Sequence, residues 1–485
     1  MIGLEGKYTD AHVLGIDEIE ERCMEQIQGM IDHEAFTEPV RIMPDAHPGK
    51  GSVIGFTMPL GDRIIPNVIG VDIGCGMQAA NLGSELPISG EALDEAIRAR
   101  VPMGFGPSGL KAENRDYYHV KDDFPWHEVN ETLEGFIEAT DGGYIEEMKQ
   151  FRDSGGYDIE YFKELCSERA GRMSGYFNVK KGISSMGTLG SGNHFIEIGQ
   201  SEKTGEYWVV VHSGSRGLGA NTASYWQEQA SRLRDKRADR ARETLAEYPK
   251  EYLKFDPERV SDSDLLDWLH GGKGEDFVDY EALKANYEKS DPDRIEEIRG
   301  ELKAAVPTGE PDGSSLDYLE GEEAAGYLID MIFCQRYAAE NRKMMARAVA
   351  DVLDVEIVDE IESTHNFIDF RDGIIRKGAT RSHEGERVIV PFNMRDGTLI
   401  VEGKSNPEWN YSVAHGAGRL MSRTQAKKEF DEESVRKEMD GIQTSVIPLD
   451  EAPGAYKSAE MIERAIGETA EIIDRLEVVH NLKAP

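Results

Sequence analysis

Residues 49–83 read GKGSVIGFTMPLGDRIIPNVIGVDIGCGMQAANLG. Glycine and β-branched residues dominate, and no helical spacing of apolar positions runs through the stretch. It reads as short strands joined by tight turns. A second Gly-rich, strand-like region covers 181–219, and VEIVDEIESTHNFIDFRDG (355–373) and GERVIVPFNMRDGTLIVEG (385–403) have the same character. Between them the apolar spacing predicts helices near 17–32, over most of 88–172, at 327–352 and at 458–478. AHGAGRLMSR (414–423) reads as a turn opening a basic helix. The expected fold class is α+β, one large domain of mixed β-sheets flanked by helices and spanning 1–485. Residues 221–321 are dominated by Asp, Glu, Lys and Arg and are expected as a charged, mostly helical insertion. There is no fixed-period repeat.

The chain has 485 residues, with 92 acidic against 55 basic side chains, a formal charge of −37 and a pI near 4.7. Such a charge repels polyanions at long range and disfavours a protein that coats nucleic acid indiscriminately. A local metal-loaded site is still compatible with it. No run approaches the roughly 18 to 20 apolar residues of a membrane span. The start, MIGLEGKYTDAHVLGIDEIE, lacks the regions of a signal peptide. The expectation is a cytoplasmic protein with no membrane partner. Cys23, Cys75, Cys166 and Cys334 form no CxxC pair, so neither a disulfide framework nor a sequence-local zinc site is signalled.

Five histidines sit in turns rich in Gly, Ser, Asn or Thr: His47 in MPDAHPGKG, His194 in GTLGSGNHFIEIG, His212 in VVVHSGSRGLG, His365 in ESTHNFIDF and His415 in AHGAGRLMSR. GVDIGCGM adds Asp72 and Cys75, three residues apart. Carboxylate, thiolate and imidazoles form a mixed hard and soft set suited to a divalent transition metal, manganese and zinc alike. The competing reading makes Asp72 a turn cap and Cys75 a small buried residue. The turns GTLGSGNHF and HSGSRGLG offer backbone N–H groups beside Ser, Asn and Arg, a composition that suits phosphate oxygens. No GxxxxGK[ST] motif occurs, which disfavours a P-loop ATPase. His415 is expected just before a helix N-terminus, where it could act as phosphoryl acceptor, general acid or metal ligand.

The ordered series MPDAHPGKG, PNVIGVDIGCGM, GTLGSGNHFIE, VVVHSGSRGLG, ESTHNF, RKGAT, HGAGRLMSR, AYK and a lysine near the end resembles the RtcB family of GTP- and manganese-dependent RNA ligases, from about residue 40 onward. The resemblance implies that Asp72, Cys75, His194, His212 and His365 hold two Mn²⁺ ions, with Cys75 bridging. It implies that His415 attacks the α-phosphorus of GTP and becomes a histidine–guanylate. Asn193, Glu197, Asn393, Gly416, Gly418, Tyr456 and Lys483 match nucleotide-site positions, and Arg216, Lys377 and Arg419 match candidates for RNA or phosphate contact. The implied reaction joins RNA ends bearing a 2′,3′-cyclic phosphate or 3′-phosphate to 5′-hydroxyl ends, with tRNA splicing or RNA repair as settings. An archease-like activator and a release-factor-like protein are the implied protein partners. Asn393 stands where the family has the serine of a Ser-Met-Gly turn, Arg395 and Asp396 extend that loop, and Ala46 and Pro48 depart from common forms. Such features resemble a divergent branch. Two other classes fit the same ligands: a metal-dependent RNA end-processing phosphodiesterase without ligation, and a non-catalytic RNA- or ribosome-binding relic.

Overall fold

Strand Gly76–Gly83 carries Ala79, Ala80 and Leu82 buried almost in succession, and strand Tyr207–Ser213 buries Trp208 through Val211. Their polarity does not alternate because both faces of their sheet are covered. On one face Ala80, Leu82, Val209 and Val211 meet Met345, Val349 and Leu353 of helix Gly321–Leu353. On the other, Met77, Ala79, Trp208 and Val210 meet Ile361, Ile389, Ile400 and Leu476, which belong to other strands of the same sheet. The sheet thus curls on itself. At its two edges Ile389 N–H donates to Ser363 Oγ at 2.9 Å, and Arg387 pairs with Asp359 at 2.5 Å.

These relationships come from a computed structural model, which describes residues 2–15, 19–104, 120–234 and 315–484, with a few positions between 242 and 297. The curled sheet has seven strands in the order Arg387–Pro391, Thr398–Gly403, Ala470–Leu482, Phe195–Ser201, Tyr207–Ser213, Gly76–Gly83 and Asp359–Thr364, antiparallel throughout. A six-stranded sheet runs Ile2–Glu5, Asp10–Val13, Val40–His47, Ile54–Pro59, Ile374–Lys377 and Asn366–Asp369, with one parallel pair. A short ribbon pairs Ala379–Arg381 with Ser412–Ala414. The α+β class expected from the sequence is the class observed.

The topology brings chemistry to one end of the curled sheet. Cys75 precedes strand Gly76–Gly83, His194 precedes Phe195–Ser201, His212 closes Tyr207–Ser213 and His365 follows Asp359–Thr364. These four strands are neighbours, and register places Met77 and Phe195 on either side of His212. Gly74 turns the chain at φ +70, and a Cβ there would lie 2.9 Å from both Ala338 Cβ and Gln335 Cα of the long helix. Only glycine lets the Asp72–Cys75 turn sit that close to the core.

One expectation fails outright. Residues 458–478 do not form one helix: helix Ala459–Ala465 and a short 3₁₀ turn lead into strand Ala470–Leu482. Its apolar residues fit a helical period, but pairing with Thr398–Gly403 and Phe195–Ser201 overrides that preference, and a register shift between Val478 and His480 breaks the alternation that marks a strand. The chain divides into two compact units, Met1–Trp226 with Leu319–Pro485, and Gln227–Tyr318. Most of the charged insertion expected at 221–321 lies outside the described residues, among which helix Tyr280–Tyr287 is present. No helix among the described residues is long and apolar enough to cross a membrane.

Candidate active site

Asp72, Cys75, His194, His212 and His365 converge. Cys75 Sγ lies 3.2 Å from His212 Nε2 and 3.6 Å from His194 Nε2. His194 Nε2 lies 2.9 Å from Asp72 Oδ2, and His212 Nε2 lies 3.3 Å from His365 Nε2. The donors form two triads, Cys75–His212–His365 and Asp72–Cys75–His194, each with its atoms within 4.8 Å of one another and both using Cys75.

An outer hydrogen bond sets the His212 tautomer. His212 Nδ1 lies 3.2 Å from the Asn193 carbonyl, which only accepts, so Nδ1 carries the proton and Nε2 points a lone pair at Cys75 Sγ and His365 Nε2. His194 Nδ1 faces the Leu189 carbonyl at 3.0 Å, an acceptor, and Arg216 Nη1 at 3.2 Å, a donor, two contacts that favour opposite tautomers. A lone pair facing a sulfur and another ring nitrogen at these distances is repelled unless a proton or a cation lies between them. Burial holds His212 and His365 well below the ordinary imidazole pKa, which argues against a second proton on either ring. Burial also pushes the Cys75 thiol well above its usual value, and the Asp72 carboxylate adds to the rise. A divalent cation reverses that and favours the thiolate. The donor set suits a divalent metal ion.

His415 stands beside this cluster, its ring centroid 4.7 Å from that of His365. Its Nδ1 lies 2.5 Å from Oδ2 of Asp45, a fully buried carboxylate. Nδ1–H therefore donates to Asp45, and Nε2 lies on the side of the ring away from that carboxylate. Lys457 holds Asp45 from behind by donating to the carbonyls of Pro44 at 2.9 Å and Ala46 at 2.8 Å. Gly418, at φ +70, leaves no room for a Cβ, which would fall 2.2 Å from the Asp45 carbonyl. The expected helix start beside His415 is absent. The chain runs irregularly to Met421, and helix Arg423–Glu429 begins only where Ser422 and Gln425 form a capping box.

His415, His212 and His365 share a cavity of about 300 Å³ with Asn193, Phe195, Glu197, Asn393, Gly416, Gly418, Arg419, Glu451, Tyr456, Asn481 and Lys483. Buried Glu197 accepts from Thr398 Oγ1 at 2.9 Å and Asn481 Nδ2 at 3.1 Å, and burial raises its pKa to about 7. Buried Glu451 gathers the cations: Lys483 Nζ at 3.1 Å, Arg419 Nη1 at 3.1 Å and Arg423 Nη2 at 3.4 Å, with Tyr456 Oη donating at 2.6 Å. Arg419 also lies over the Tyr456 ring, 5.0 Å from its centroid. Asn393 closes its own loop, accepting from the N–H groups of Arg395 and Asp396 and donating to the Asp396 carboxylate at 2.8 Å.

Two of the residues expected at RNA or phosphate lie further back. Lys377 is buried and donates to the carbonyls of Lys50 and Ser52, and burial lowers its pKa to about 7. Arg216, at φ +58, places Nη1 3.2 Å from His194 Nδ1. Four residues of the site went unnoticed in the sequence: Asp45, Glu451, Lys457 and Asn481. Asp45 and His415 are 370 positions apart, so their pairing has no local signature. Glu451 and Lys457 flank APGAY, a turn whose neighbours carried a readable signal.

A family profile described as tRNA-splicing ligase RtcB matches residues 26–257 and 314–484. The RNA-splicing ligase RtcB of Escherichia coli (strain K12) is 28% identical over 464 residues, covering 91% of this chain and 88% of that protein. The tRNA-splicing ligase RtcB of Thermococcus kodakarensis is 26% identical over 495 residues, 88% of this chain and 83% of that one. The RNA-splicing ligase RtcB of Mycobacterium tuberculosis is 25% identical over 490 residues, 87% and 91%.

Proposed function

The chain belongs to the RtcB family, and from that premise we propose that it is an RNA ligase that uses GTP and two Mn²⁺ ions to join 2′,3′-cyclic phosphate or 3′-phosphate ends to 5′-hydroxyl ends. Asp72, Cys75 and His194 would hold one ion and Cys75, His212 and His365 the other, and the pair would neutralise phosphate charge next to His415. The observation that carries the reading is the pairing of His415 Nδ1 with buried Asp45 at the wall of a cavity that His212 and His365 also line.

His415 Nε2 attacks the α-phosphorus of GTP, the bond to the β-phosphate oxygen breaks and pyrophosphate leaves. Asp45 compensates the positive charge that develops on the guanylated ring. Glu197 accepts from the N–H edge of guanine, with Asn481 and Thr398 holding the carboxylate in place. An RNA 3′-phosphate oxygen then takes GMP from His415, and water first opens the ring where the end is a cyclic phosphate. A phosphate monoester is a poor electrophile, and its anhydride with GMP has a good leaving group. The 5′-hydroxyl finally attacks the RNA phosphorus, the anhydride bond breaks and GMP departs.

The deciding experiment incubates the protein with Mn²⁺ and α-labelled GTP. Covalent label on the parent, absent from His415→Ala, supports the ligase. Opening of cyclic phosphate ends without label favours the phosphodiesterase, and neither activity favours the relic.

A further inference from the structure

Helix Gly321–Leu353 is buried nearly all round, yet Asn341 and Arg342 stand at its middle with no exposed surface. Buried polar side chains of this size stay only where their hydrogen bonds are met. Arg342 Nη1 donates to the Gly74 carbonyl at 2.6 Å and the Ser213 carbonyl at 3.1 Å. Its Nη2 reaches Glu362 at 2.9 Å and Thr364 Oγ1 at 3.3 Å. Gly74, Ser213 and Thr364 are the immediate neighbours of Cys75, His212 and His365. One guanidinium therefore ties together the three chain segments that make one triad.

Asn341 joins the Thr188–Leu189 segment, which precedes His194, to the Ser213–Gly214 turn that follows His212. Its Oδ1 accepts from Thr188 N–H at 3.0 Å, and its Nδ2 faces the carbonyls of Thr188 at 3.2 Å and Gly214 at 3.0 Å and Ser213 Oγ at 3.2 Å. Ser213 Oγ in turn donates to the Leu189 carbonyl at 3.0 Å. The route from Asn341 ends on the carbonyl that His194 Nδ1 faces.

We propose that Asn341 and Arg342 are positioning residues that hold the two triads in register, Arg342 for Cys75–His212–His365 and Asn341 for Asp72–Cys75–His194. The proposal rests on the two-ion reading above. A single rigid helix carries both, so the spacing between the ion sites is set by adjacent residues on one element rather than by four separate loops.

The test titrates Co²⁺ into purified full-length protein and follows the sulfur-to-cobalt absorption of Cys75. A His194→Ala background retains the Cys75–His212–His365 triad, and a His365→Ala background retains Asp72–Cys75–His194. Arg342→Met should weaken Co²⁺ binding roughly 10- to 100-fold in the first background and less in the second. Asn341→Ala should show the reverse order. A merely structural role would lower the melting temperature of the metal-free chain and leave both dissociation constants unchanged, which overturns the proposal. Should either variant not fold, Arg342→Lys and Ser213→Ala carry the same test through smaller changes. A parent that binds no Co²⁺ through Cys75 overturns the two-ion reading and this proposal together. Unchanged variants on a metal-binding parent overturn this proposal alone.

Discussion

Asp45 Oδ2 and His415 Nδ1 lie 2.5 Å apart, the carboxylate fully buried and the imidazole open to the cavity on its other side. The pair fixes which nitrogen carries the proton and places a negative charge where positive charge grows during attack. Asp45→Asn keeps the shape and removes the charge. We expect guanylation of His415, followed with α-labelled GTP, to slow by about 100-fold or more, with little change in melting temperature. A rate within a factor of three of the parent would remove Asp45 from the mechanism.

Cys75 belongs to both triads, whereas His194 and His365 belong to one each. Metal analysis of protein purified without chelator should therefore rank the variants. Cys75→Ala loses both ions and all labelling. His194→Ala and His365→Ala each retain part of the bound metal. Full activity in Cys75→Ala would refute the shared-ligand arrangement.

Glu197 carries a pKa raised by burial from about 4.5 to about 7. Between those values the folded chain binds more protons at this site than the unfolded chain, so its contribution to stability falls as pH rises through the window and is level above it. Glu197→Gln should remove that slope, visible in the difference between the two melting curves from pH 4.5 to 7. GTP binding runs the other way, because guanine N–H groups need an ionised acceptor. It should strengthen through pH 7 in the parent and stay flat in the variant.

Glu451 is buried among Lys483, Arg419 and Arg423. Removing its charge leaves buried Lys483 and half-buried Arg419 without their carboxylate, and Glu451→Gln should cost about 3 kcal/mol, read as a lower urea midpoint at neutral pH. An unchanged midpoint would show that these cations are satisfied elsewhere.

The cluster of Asp72, Cys75, His194, His212 and His365, proposed here as metal ligands, was legible because its residues sit in short turns, Asp72 and Cys75 sharing one, where ligand chemistry is written in adjacent residues. The α+β class was legible for a similar reason, since doubly buried strands such as Trp208–Val211 leave continuous apolar runs. What escaped was pairing across distance. Asp45 with His415, and Asn341 with the turns of Thr188 and Gly214, are joined only by the folded sheet. Strand Ala470–Leu482 was read as helix because its preference is weak and its neighbours in space are remote in sequence. The start of helix Arg423–Glu429 was misplaced although Ser422 and Gln425 spell its capping box.

That same strand sets the order in which the molecule becomes competent. It slots between Thr398–Gly403 and Phe195–Ser201, and Asn481 in its register opposite Glu197 completes the cavity wall, with Lys483 following. Strand insertion between distant partners closes late, since the loops it joins are long. A chain that had already formed the cluster of Asp72, Cys75, His194, His212 and His365 together with His415 would still lack this wall. Under the proposed function, a fragment that stops short of Ala470 would be unable to charge itself with nucleotide.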